Sequence, residues 1–75
     1  MTPLDLAIER AGGVSKLASF IGRKPNAVSN WRKRRIPDEA CPDIERATGV
    51  VVEALRPDLS WHRDEAGHIY VRKTG

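Results

Sequence analysis

Glycine or proline interrupts the chain at positions 3, 12, 13, 22, 25, 37, 42, 49, 57 and 67. Glycine favours the left-handed turn that ends a helix, and proline cannot continue one, so no helix here can exceed about three turns. A chain so divided must build its core by crossing several short helices. The sequence has 75 residues and a single cysteine, Cys41. That allows one small core and no internal disulfide, so stability must come from close helix packing or from a partner subunit.

The stretches between the breaks carry helical periodicity. Thr2-Pro3-Leu4-Asp5 combines a capping threonine, a proline suited to the first turn and an acid that complements the helix dipole. Leu4, Ala7, Ile8 and Ala11 then form one apolar stripe, closed by Gly12-Gly13. Val14, Leu17, Ala18 and Ile21 repeat the spacing, with Gly13 or Ser15 as cap and Gly22 as stop. This second helix is too short to persist alone, and its small Ala18 permits a close crossing. A third helix starts at Pro25, has Val28 and Trp31 as its strongly buriable residues, and ends before Ile36-Pro37.

The segment from Pro37 to Gly49 holds a fourth helix, in which Cys41-Pro42-Asp43 offers a proline at a helix start with an acid behind it and Ile44 and Ala47 face inward. Val50-Val51-Val52 reads as strand or core segment, and Glu53-Ala54-Leu55-Arg56 before Pro57 as a short fifth helix. Leu59–Arg63 and His68–Arg72 alternate apolar and polar residues around Asp64-Glu65-Ala66-Gly67, the pattern of a β-hairpin. Two strands alone are marginal, so the hairpin must pack on the helices or on another chain. The expected fold is mainly α: five short helices with a helix-turn-helix, and a C-terminal hairpin. Residues 1–58 are expected to form the helical part, and residues 59–75 an extension within the same domain.

The net charge of +3 hides a segregation. Arg23, Lys24, Arg32, Lys33, Arg34 and Arg35 fall in one stretch without an acid. Asp38, Glu39, Asp43, Glu45, Glu53 and Asp58 follow, against only Arg46 and Arg56. Such separation implies a directed field. On a helical wheel at about 100° per residue, Trp31 lies about 60° from Val28, with Ala27 on the same side. Asn26, Asn30 and Lys33 fall on the opposite face, with Ser29 at its edge. That face holds amides, a hydroxyl and a cation but no acid, unlike an ordinary solubilising surface. Asparagine, lysine and serine suit base edges in a major groove, while flanking arginines suit phosphates. The plainer alternative is an idle basic helix end that complements its own dipole.

Enzymatic chemistry finds no footing. No cysteine–histidine–acid grouping, glycine-rich phosphate loop or paired carboxylates can be assembled from the sequence. His62 and His68 read as exposed hairpin residues, so neither a metal nor another cofactor is expected. No segment is long and apolar enough to span a membrane. The lone cysteine and the lack of a signal-peptide pattern favour a reducing, cytoplasmic setting. RNA is a poorer match than DNA because an aromatic stacking surface is missing.

The blocks Gly12-Gly13-Val14-Ser15-Lys16-Leu17-Ala18, Ala27-Val28-Ser29-Asn30-Trp31 and Ile36-Pro37 resemble the Cro/CI-type, lambda-repressor-like helix-turn-helix superfamily. With Cys41-Pro42-Asp43-Ile44-Glu45-Arg46-Ala47-Thr48-Gly49 and Leu55-Arg56-Pro57-Asp58, the chain is similar to the YdaS-like antitoxin or phage Cro-like repressor branch. The resemblance covers roughly residues 4 to 61 and implies a dimeric, phage- or prophage-associated transcriptional repressor acting on an operator. Arg23 stands where such motifs commonly bury an apolar residue, and Lys24-Pro25 replaces a serine-like cap.

The leading expectation is therefore a sequence-specific repressor of double-stranded DNA. Lys24, Asn26, Ser29, Asn30 and Lys33 face base edges or their margin, with Asn30 central. Ser15, Lys16, Arg23, Arg32, Arg34 and Arg35 hold phosphates. One short helix reads few base pairs, so a homodimer is expected, formed in solution or only on DNA. Val51, Leu55, Trp61, Ile69, Tyr70 and Val71 supply either its interface or the internal core. The alternative is an antitoxin-type interaction module, whose acidic 37–58 surface or hairpin neutralises a toxin partner.

Overall fold

Thr2 begins the first helix by a reciprocal cap. Its hydroxyl accepts the Asp5 N–H at 3.1 Å, while the Asp5 carboxylate accepts the Thr2 N–H at 3.4 Å. In the computed structural model, which describes residues 1–72, this launches α1 (Pro3–Ala11). Gly12 and Gly13 both have positive φ, and the Gly13 N–H returns to the Ile8 carbonyl at 2.9 Å. Gly13, at φ 129° and ψ 167°, is the backbone cap of α2 (Val14–Ile21). Gly22 ends α2 at φ 71°, and α3 (Pro25–Lys33) follows after Arg23 and Lys24.

The fourth helical region is not one continuous α-helix. A 3-10 turn spans Asp38–Ala40 and leads into α4 (Cys41–Thr48). Pro42 has no N–H to donate back, so regular α bonding cannot extend through it toward Pro37. A four-residue α5 (Val52–Leu55) follows, and the ambiguous valines resolve by position: Val50 and Val52 are buried while Val51 is exposed. Strands β1 (Trp61–Arg63) and β2 (Ile69–Val71) pair antiparallel, with His62 opposite Tyr70. Gly67 at φ 86° donates to the Asp64 carbonyl, closing the expected turn. The last three residues of the expected extension, 73–75, lie outside the described residues.

One apolar core joins all five helices. Leu17, Val28, Ile44 and Val52 are fully buried, with Leu4, Ile8, Trp31, Ile36 and Leu55 around them. Each such side chain contributes about 1.5–3 kcal/mol by leaving water. Ala18 is also fully buried, as the close α2–α3 crossing requires. Cys41 sits in the same core with its thiol pushed up to about 11 by burial. No polar side chain is buried among the described residues.

The hairpin docks by fewer means. Trp61 and Ile69 rest partly buried against the core, and the Trp61 indole N–H donates to the Arg56 carbonyl at 2.9 Å. Arg63 reaches both oxygens of Glu45 at 2.7 Å and Glu53 at 2.8 Å. Glu45 also accepts the Val52 N–H at 3.0 Å, so one carboxylate joins α4, α5 and β1. Of the residues weighed as dimer interface or core, Leu55 is buried, whereas Val51 and Tyr70 are exposed. Val71 is half-buried.

Candidate nucleic-acid interface

The surface of interest is set by how α2 and α3 are fastened. At the end of α2 the Arg23 N–H returns to the Ala18 carbonyl at 2.9 Å, holding the turn tight. Val28 and Trp31 anchor α3 in the core. Asn26, Ser29, Asn30 and Lys33 are consequently exposed. None of these four side chains makes a hydrogen bond or ion pair among the described residues. Trp31 spends its ring on the core rather than on the surface.

The margins add cations. Lys24 stands at the start of α3 with no side-chain capping bond, and the helix carries no acid in its first turn. Ser15 and Lys16 are exposed near the start of α2, whose Gly13 cap supplies no side-chain partner. The leading N–H groups there are open to an anion. Arg34 leaves the helix in an extended conformation, with its N–H on the Asn30 carbonyl. Beside it Ala27, Asn30, Trp31, Arg34 and Arg35 line an open concavity of about 440 Å³.

Acids distant in sequence also reach this surface. Arg23 lies 3.9 Å from Glu39, Arg32 3.3 Å from Asp5, and Arg35 3.8 Å from Asp58. Lys16, Lys24, Lys33 and Arg34 have no acid within ion-pair distance among the described residues. The charge of the 23–35 stretch is therefore lower in space than along the chain. Sequence reasoning also missed Arg56, which supports the exit of α3. Its guanidinium donates to the Ile36 carbonyl at 2.7 Å and forks onto Asp58 at 2.9 and 2.8 Å. That fork pulls the Asp58 carboxyl down to about 2. The Leu55-Arg56-Pro57-Asp58 block was visible in the sequence, but its mechanical role needs the fold.

The acids of the 37–58 stretch are mostly engaged inside the molecule. Asp43 pairs with Arg46, Glu45 and Glu53 with Arg63, and Asp58 with Arg56. No group of three metal-ligating side chains comes together among the described residues. None of their helices is long and apolar enough to cross a membrane.

Known proteins are similar to this chain. A family model described as "Bacterial toxin YdaS" matches residues 4–64. The chain is 48% identical over 54 residues to the "Putative transcriptional regulator YdaS" of Escherichia coli strain K12. That match takes in 67% of this chain and 55% of the relative, so the chain spans about half the relative's length. The fold is also that of a solved Cro protein from the "putative prophage element Xfaso 1" of Xylella fastidiosa strain Ann-1. That match has a TM-score of 0.73 and 48% identity, covering 77% of this chain and 94% of the other.

Proposed function

The chain belongs to the YdaS family, and we propose that it is a sequence-specific, double-stranded DNA-binding transcriptional regulator of the Cro type. The observation that carries this reading is the α3 surface. Val28 and Trp31 are buried, while Asn26, Ser29, Asn30 and Lys33 are exposed and without side-chain partners among the described residues, on a helix that carries no acid of its own. A single α-helix fits a major groove, where asparagine bonds adenine bidentately and lysine reaches guanine acceptors. The relative named as a transcriptional regulator and the Cro fold support the same conclusion.

In this reading Lys24, Asn26, Ser29, Asn30 and Lys33 read bases or their margin. Ser15, Lys16, Arg23, Arg32, Arg34 and Arg35 hold phosphates, each subunit neutralising on the order of four. Two subunits sit on a near-palindrome with half-site centres about 34 Å apart. The exposed Tyr70, stacked on His62 at 5.6 Å between ring centres, and Val51 are available for that pairing. The bound dimer covers a promoter and excludes polymerase.

The antitoxin alternative has less support. The acids that would greet a basic partner are largely committed to Arg46, Arg56 and Arg63. The family's description names a toxin, which leaves a protein partner as a secondary reading. Selection of bound duplexes from a random pool at physiological salt tests the main proposal. A two-fold symmetric consensus is expected; recovery of no preferred sequence would overturn it.

A further inference from the structure

Three arginines of the α3 surface are each met by an acid from a different part of the fold. Glu39 comes from the 3-10 turn, Asp5 from α1, and Asp58 from the segment after α5. Their chain separations differ, so no local motif generates the pattern. Resting on the DNA-binding reading above, we propose that Asp5, Glu39 and Asp58 are affinity-limiting residues that hold Arg23, Arg32 and Arg35 back from duplex phosphates.

The argument is one of mobility. An exposed ion pair is weak, so an arginine leaves it readily for a phosphate. Two of the three acids left behind do not move away. Asp5 is fixed as the capping partner of Thr2, and Asp58 is gripped by the Arg56 fork. Both carboxyls lie below their ordinary range, Asp5 through its hydrogen bonds with Thr2 and Asp58 through those from Arg56. They are therefore anionic at neutral pH. A phosphate that captures Arg32 or Arg35 therefore approaches a carboxylate held in place, whereas Glu39 acts only by competing for Arg23.

This opposition acts on every duplex alike, because it concerns backbone and not base edges. Its effect is to lower the general affinity that electrostatics would otherwise supply. Lys16, Lys24, Lys33 and Arg34, which have no such acid among the described residues, remain to set the register. The surface thus divides into free cations and restrained ones.

Glu39→Gln is the cleanest test, because the contact with Arg23 is the one side-chain interaction recorded for Glu39 among the described residues. Asp58→Asn is the second variant, with thermal unfolding to verify that the fold survives loss of the Arg56 fork. Glu65→Gln in the hairpin turn makes the same change of net charge away from the surface. Binding to a random-sequence duplex is followed by fluorescence anisotropy across a salt series. Glu39→Gln and Asp58→Asn should bind about threefold tighter at low salt, with the gain fading as salt screens the surface. Glu65→Gln should bind as the parent does. If both variants match the parent, or Glu65→Gln gains as much as they do, the inference is overturned while the DNA-binding reading stands. A parent protein that binds no duplex sinks both.

Discussion

Helix α3 and the C-terminal hairpin are attached to the same core by opposite means. Val28 and Trp31 fix α3 from inside, and Asn26, Ser29, Asn30 and Lys33 are left without side-chain partners among the described residues. In the hairpin the strand side chains are at most half-buried, and polar contacts from Trp61 and Arg63 do much of the fastening. Burial fixes a surface rigidly but says nothing about what that surface touches. Polar fastening holds an element only while its charges and solvent conditions permit. The first arrangement suits a face that must keep its shape; the second suits a part whose hold can be loosened.

The strongest way to break this contrast is to empty the core under α2 and α3. Leu17→Ala should cost about 2–5 kcal/mol, against a total of about 5–15 kcal/mol for an ordinary domain. Denaturant unfolding measures it, and a midpoint like the parent's would mean that Leu17 is not the anchor its burial implies. Next in size is Asn30→Ala, which should lose about 1–3 kcal/mol of discrimination at one base pair without unfolding the chain. An unchanged ratio of operator to random binding would remove Asn30 from the reading.

The hairpin should respond more mildly and more locally. Trp61→Phe keeps most of the ring while deleting the N–H that reaches Arg56, at about 0.5–1.5 kcal/mol. Amide exchange should quicken in β1 and β2 and stay unchanged in α3; quickening in both would show that the two regions open as one. The smallest effect concerns acid. Hydrogen bonds from Arg63 hold the Glu45 and Glu53 carboxyls below their ordinary values. Because their folded values are depressed, the stabilisation is present at neutral pH and above. It is lost as pH falls from about 4 through those folded values. Nuclear magnetic resonance shifts of Arg63 and its strand neighbours should titrate there while those of Asn26 and Asn30 do not.

The helices were legible because their signals are local. Thr2 and Asp5 lie three residues apart, and Gly12, Gly22 and Gly49 mark ends within one turn of the stripes they close. The outward face of α3 was legible for the same reason, since Val28 and Trp31 fix its rotation. The hairpin was foreseen from alternation and the Asp64–Gly67 turn. What stayed hidden depends on long reach. Arg56 bonds a carbonyl 20 residues earlier, and Arg63 a carboxylate 18 residues earlier. The acids beside Arg23, Arg32 and Arg35 belong to the same class, because no periodicity announces where an exposed side chain will meet another element. The helix start at Cys41-Pro42-Asp43 was legible, but the 3-10 turn that leads into it was not.

Gly13 and Gly22 have equally open surroundings, with nothing within 4 Å of where a Cβ would stand. Their backbones nonetheless set different rules for inheritance. At φ 71° and ψ 32°, Gly22 occupies a region that asparagine also visits, so that joint can drift in sequence. At φ 129° and ψ 167°, Gly13 occupies a region closed to side chains. A mutational library should therefore return asparagine at 22 among its survivors and glycine alone at 13, leaving the α1–α2 corner the less evolvable of the two.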